Sequence, residues 1–248
     1  MHTYPLYVYF VVALGMFLVG MSKGGLGATL SAVTVPMMAL VLPVKDVIGM
    51  MPPVLMLADA LAVGFHWGKW DGRMVRLLIP SSLIGVTIGT LFLANAPSEL
   101  IRLVLGIIVI IFVIYKVFER RLFARITYRP HNWHGVLAGS VAGFTSSVAH
   151  TGGPPVGMYL LLQGVQPRTY AATSAIFFLI LNYIKVPFYY VADVFNFKVL
   201  ATFLWLLPMV PLGVLAGKWI VVRVSKGFYD NIILFLLFVS AMLLIFSR

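Results

Sequence analysis

The residues best placed to do chemistry fall in two glycine-rich stretches. In Gly20-Met21-Ser22-Lys23-Gly24-Gly25-Leu26-Gly27-Ala28, a lysine and a serine stand among glycines inside an otherwise apolar run. Glycines at this density break a helix and free backbone N–H groups. A helix restarting near Leu26 aims its positive N-terminal end back at the break, and Lys23 adds a full charge there. A lysine near a bilayer centre costs about 2.5–3.5 kcal/mol on insertion scales. The competing expectation is that Lys23 snorkels to the nearer membrane face.

The second stretch runs from Gly143 to Pro155 and contains Ser146, Ser147, His150, Thr151, Gly152 and Gly153. Proline after Gly-Gly suits the first turn of a new helix, where its missing N–H costs nothing. The hydroxyls are donors, and a histidine with an ordinary pKa of ~6.5 can act as a protonation switch. Packing and back-bonding to helix carbonyls are the competing roles. Downstream, Asn182 and Lys185 are spaced i, i+3 and share a helix face, and Thr173 and Ser174 begin that helix. Lys185 could instead snorkel outward beside Pro187. Asp59 is a poor anion ligand and suits a proton carrier or a counter-charge to a lysine.

These residues must be positioned by membrane helices. Of 248 residues, 61% are hydrophobic and only 10% charged, with no cysteine. A soluble domain carries about 25% charged residues. The apolar runs fall at about 6–21, 26–43, 47–66, 74–94, 99–118, 134–149, 154–163, 169–191, 198–222 and 228–247. Most are long enough to cross ~30 Å of hydrocarbon as helix, and they lack the alternation of a β-barrel. The expected class is an all-α polytopic membrane protein. The run 154–163 makes only about 15 Å of helix, so it and the segment after Gly24-Gly25 are expected to be broken or re-entrant.

The chain divides into a first repeat (1–118), a basic linker (119–133) and a second repeat (134–248). An offset of 123 superposes Gly20 on Gly143, Lys45 on Arg168 and Asp59 on Asn182. An offset of 128 superposes Pro80, Gly85 and Gly89 on Pro208, Gly213 and Gly217, which implies an insertion near 190–197. The net charge of +11 does not point to nucleic acid, because the basic residues cluster in short loops and the linker. With the linker placed in the cytoplasm, twelve of the eighteen Lys and Arg lie on that side, and Lys23 and Lys185 stay at membrane depth. Both termini are then outside, the N-terminus reads as a mature helix rather than a signal peptide, and an odd number of crossings per half makes the repeats inverted. Inverted repeats with interrupted helices are a transporter architecture.

Inverted repeats bring the two breaks together near the midplane. The expected pocket takes N–H groups of Gly24, Gly25, Gly152 and Gly153, charge from Lys23, and hydrogen bonds from Ser22, Ser147, Thr151 and Asn182. His150, Asp59 and Lys185 are the expected coupling or charge-balancing groups. Such a pocket wants a small anion.

The run His150-Thr151-Gly152-Gly153-Pro154-Pro155 with Tyr159-Leu160-Leu161, Tyr170-Ala171-Ala172-Thr173-Ser174, Asn182-Tyr183-Ile184-Lys185 and Ser22-Lys23-Gly24-Gly25-Leu26-Gly27 resembles the sulfite exporter (TauE/SafE-type) family. The resemblance covers nearly the whole chain. It implies a multi-pass permease of the bacterial inner membrane with two repeated halves, handling sulfite, organosulfonates or related sulfur oxyanions. Walker A, H-E-x-x-H and G-x-S-x-G motifs are absent, as is any carboxylate-rich metal cluster. Neither an enzyme, a metal nor a cofactor is therefore expected. The expected function is a secondary carrier of a small sulfur oxyanion with alternating access. The alternatives are a passive anion channel or a carrier of another small anion such as a carboxylate or thiosulfate. Expected partners are the anion, the bilayer and, as an open assembly, a second copy of the chain.

Overall fold

In the computed structural model, residues 4–125, 131–223 and 226–246 are described. They form helices and connecting turns, with no strand among them. α1 (Leu6–Met21) ends in a π-turn (Ser22–Leu26), followed by α2 (Ala28–Ala32) and α3 (Thr34–Met38). Then come α4 (Val44–Phe65), α5 (Gly72–Asn95) and α6 (Ser98–Arg125). The second half repeats the rhythm with α7 (Asn132–Ala149), α8 (Gly153–Leu162) and α9 (Pro167–Val191), then α10 (Phe197–Phe203), α11 (Met209–Val221) and α12 (Lys226–Phe246). Among the described residues, five helices are long and apolar enough to cross a membrane; a sixth span results if α10 and α11, bent by 50°, act as one. The fold is an all-α polytopic membrane protein.

Glycine and proline placed these elements. The apolar runs end where Gly24-Gly25, Gly152-Gly153 and Pro43 interrupt them. α6 departs from expectation, continuing past 118 to Arg125. Residues 119–125 and 132–133 of the expected linker are therefore helical; residues 126–130, with Arg129, lie outside the described residues, as do both chain ends.

The helices are apolar outside and small inside. On α5, Ile84, Ile88 and Leu91 are exposed, while Ser82, Gly85, Val86 and Gly89 are buried. This inside-out pattern suits a helix whose solvent is lipid. Trp67, Trp133, Trp205 and Trp219 are exposed near helix ends, as expected of interfacial aromatics.

The close packing is reciprocal between the halves. Gly20 of α1 abuts the Val210 carbonyl of α11, and Gly213 of α11 abuts the Phe17 carbonyl of α1, so a Cβ at either glycine would strike backbone. In the same way Gly143 of α7 abuts the Ser82 carbonyl of α5, and Gly85 of α5 the Ser140 carbonyl of α7. The first helix of each half thus packs on the Pro-x4-Gly-x3-Gly helix of the other. A further contact follows the same rule: Gly49 abuts the Val194 carbonyl, while the Asp71 N–H donates to Thr173 Oγ1 at 2.9 Å. At the 123 offset, Gly49 and Val194 map onto Ala172 and Asp71, one residue from that second contact.

Candidate functional site

The first break is a π-turn closed by two glycines in left-handed space. Gly25 has φ 129° and Gly27 φ 88°, conformations that a Cβ strains against. The Gly27 N–H donates to the Ser22 carbonyl at 3.1 Å. Helix resumes at Ala28 rather than near Leu26, because Leu26 belongs to the turn and Gly27 interposes a non-helical residue. With only five residues, α2 has too few peptide units to direct a strong dipole at the break. Gly24 packs against the Val214 carbonyl and Gly217 of α11, and Gly25 lies beside Val221. Here the glycines serve close helix packing as well as the break.

The second break is built around His150. It caps α7 in the left-handed region, with φ 52°, and its N–H returns to the Ser146 carbonyl at 3.1 Å. That cap turns the ring toward α4, where Nε2 lies 3.1 Å from the Ile48 carbonyl. Pro52, four residues after Ile48, has no N–H, so this carbonyl lacks its normal helical donor. The histidine takes up the acceptor that the proline leaves free.

Charge converges between the two breaks. Lys23 Nζ lies 2.5 Å from Asp59 Oδ1, and Asn182 Nδ2 donates to Asp59 Oδ2 at 3.0 Å. Lys23 also faces the Phe178 ring, 5.2 Å from its centroid, an electrostatically favourable seat for an ammonium. Asp59 is completely buried, whereas the Lys23 side chain keeps 21% exposure. Lys185, also completely buried, reaches the Ser146 carbonyl at 3.2 Å, Ser146 Oγ at 3.1 Å and His150 Nδ1 at 3.0 Å.

These contacts assign the protons. The Ile48 carbonyl only accepts, so Nε2 of His150 carries the hydrogen and donates. Nδ1 is then the lone-pair side, which accepts from Lys185. His150 is neutral, and all three Lys185 donors meet an acceptor, as an ammonium requires.

A cavity of about 40 Å³ opens at this cluster, lined among others by Lys23, Asp59, His150, Thr151, Phe178 and Asn182. It lies on a seam: Leu55 and Phe112 come from the larger hydrophobic core, and Phe178 from the edge of the smaller one. Three buried polar atoms of lining residues have no hydrogen-bond partner: Asp59 Oδ1, which meets only the Lys23 ion pair, Thr151 Oγ1 and Asn182 Oδ1. Because Asp59 holds the Asn182 amide by its nitrogen, the amide oxygen is left over to accept from something else.

Of the expected site residues, Lys23, His150, Thr151, Gly153 and Asn182 line this cavity, as does Asp59; Lys185 stands behind it, on His150. Ser22, Gly24, Gly25, Ser147 and Gly152 are close in the chain but outside the lining. Ser147 spends its hydroxyl on the Gly143 carbonyl at 2.9 Å, and its own carbonyl accepts from Tyr189 at 2.6 Å. Ser31, Leu55, Phe112 and Phe178 are also part of the wall, without having been expected. Three of these are apolar residues in apolar helices, which carry no local signal. Ser31 is the exception, a hydroxyl eight positions past Lys23. Among the described residues no group of His, Asp and Glu could hold a metal ion.

Fold and site together define a polytopic helical membrane protein with a charged cavity where two broken helices meet. The model of the Sulfite exporter TauE/SafE family matches residues 12–244, and the chain belongs to that family. The family is one of membrane transporters for sulfite and related sulfur anions. No curated protein and no solved structure matches the chain.

Proposed function

We propose that the protein is a secondary carrier that binds a small sulfur oxyanion, sulfite above all, in the cavity between its two breaks. The observation that carries this is a convergence at membrane depth: two lysines, Lys23 and Lys185, approach a single carboxylate, Asp59. Ionisable side chains there are costly in a bilayer and mark an ion pathway. The Thr151 hydroxyl supplies a donor without a protein partner, and the Asn182 amide oxygen an acceptor. A water needs about 10–15 Å³ of cavity space, so about 40 Å³ holds roughly three water-sized groups. That suits sulfite better than a long organosulfonate.

The halves act as inverted repeats, with rocking of one against the other giving alternating access. The reciprocal glycine contacts of α1 with α11 and α5 with α7 support this, since they make two matched interfaces. The positive-inside count supports an orientation with both termini outside, and membership of the family supports an inner-membrane location.

A thermal-shift screen of the purified protein against sulfite, sulfate, thiosulfate, sulfoacetate and small carboxylates tests the ligand class, since a ligand of the folded state raises apparent stability. Stabilisation by sulfite is expected. Stabilisation by carboxylates alone would move the substrate to another class. In proteoliposomes, saturable counterflow is expected of a carrier, and large single-channel currents would show a pore.

A further inference from the structure

We propose that Asp59 is an internal anion which the transported oxyanion displaces from Lys23, and that Asp59 takes up a proton as it lets go, so that a proton travels with each anion. This rests on the carrier function proposed above and names how the same site is coupled.

Of the two lysines at the cluster, Lys23 is the one placed to meet a guest. Lys185 is engaged on all three of its donors, by the Ser146 carbonyl, Ser146 Oγ and His150 Nδ1. Lys23 has one ion-pair partner, Asp59 Oδ1, and otherwise rests on the Phe178 ring. An anion entering the cavity therefore meets its charge at Lys23, and there it lies beside the Asp59 carboxylate. Two oxyanions sharing one small, water-poor site cannot both stay ionised; one of them takes a proton. Against a sulfonate or a hydrogensulfite monoanion, each the anion of a stronger acid than a carboxylic acid, the proton goes to Asp59.

The charged and titratable neighbours of Asp59 allow this exchange. The π-turn after α1 presents Lys23, α9 presents Asn182 and Lys185, and the end of α7 brings the neutral ring of His150 to the same cavity. α6 contributes Phe112. On α11, Lys218 lies over the Phe65 ring, at the C-terminal end of α4 six residues beyond Asp59. No second carboxylate lines the cavity. In the exchange a proton from water joins an Asp59 oxygen, the Lys23–Asp59 ion pair breaks, and a Lys23–oxyanion pair forms. The charge of the cluster is unchanged. Release on the far side reverses each event.

The test uses the full chain in detergent or nanodiscs, with methanesulfonate and sulfite as probes. Methanesulfonate stays ionised throughout the working range, so any proton taken up belongs to the protein. Calorimetry in buffers of differing ionisation enthalpy should show about one proton bound per anion, and affinity about tenfold tighter per pH unit lowered. The infrared difference spectrum should gain a protonated-carboxyl band on binding. Asp59→Asn should bind more tightly at neutral pH, with no proton uptake, no pH slope and no band. Should that variant fail to fold, the wild-type band and proton count still decide. Binding by the wild type with neither would overturn the proposal and leave the carrier site standing. Binding of neither probe would overturn the site itself.

Discussion

Asn182 donates through Nδ2 to Asp59 Oδ2 at 3.0 Å across 123 positions of sequence, the same interval that superposes Gly20 on Gly143. The two residues touch where α4 packs against α9. The Lys23–Asp59 pair and the cavity lie at this same place. The substitution of Asn for Asp between the halves also keeps two carboxylates from facing each other. Asn182→Asp would create that confrontation, and one carboxyl of the pair must then hold a proton. Protons stabilise the folded variant, so its melting temperature should fall as pH rises from 5 to 8, more steeply than in the wild type. Parallel pH profiles would separate the two residues.

The Lys23–Asp59 pair should be costly to break from one side. Lys23→Met leaves Asp59 buried without its counter-ion, a loss of about 3–5 kcal/mol for a buried pair. Removing both charges in Lys23→Met/Asp59→Asn should recover most of that stability. Thermal unfolding of the two variants in one detergent checks this, and equal losses would show that the pair is not coupled.

His150 should be visible as a neutral ring protonated at Nε2. Nitrogen NMR of histidine-labelled protein reports the tautomer directly. Pro52→Ala restores an N–H opposite the Ile48 carbonyl, so the helix competes for the acceptor that His150 uses. The His150 signal should then broaden or shift, while an unchanged signal would detach the ring from α4.

Glycine contacts provide a further check. A Cβ at Gly85 strikes the Ser140 carbonyl and one at Gly213 strikes the Phe17 carbonyl, so Gly85→Ala and Gly213→Ala should each cost about 1–3 kcal/mol. Gly64 has open space around its Cβ position. Gly64→Ala, in the last turn of α4, should leave stability unchanged or raise it by up to about 0.5–1 kcal/mol. Melting temperatures of the three variants give the comparison.

Much of this arrangement was legible in the sequence, for particular reasons. The breaks at Gly24-Gly25 and Gly152-Gly153 stood out because glycine and proline interrupt apolar runs where nothing else does. Asp59 and Asn182 stood out because a polar residue in a membrane helix needs a partner. Which lysine paired with Asp59 was not legible, since Lys23 and Lys185 fit that role equally until the helices are packed. The use of Gly24 was ambiguous for a similar reason: a glycine that frees an N–H and one that admits a neighbouring helix look alike in sequence. Phe178, the ring beneath Lys23, was silent because an aromatic residue in an apolar helix is unremarkable. Ser147 looked like a ligand and proved to be back-bonded to Gly143, a choice that only the rotamer reveals.

The central claim is that the oxyanion is held at the Lys23–Asp59 cluster, between the two breaks. Sulfite counterflow in proteoliposomes, wild type against Lys23→Met/Asp59→Asn, tests it most directly, because the double variant removes the charges while keeping the fold. Saturable exchange by the wild type and none by the folded double variant is the predicted result. Exchange by the double variant at the wild-type rate and affinity would contradict it.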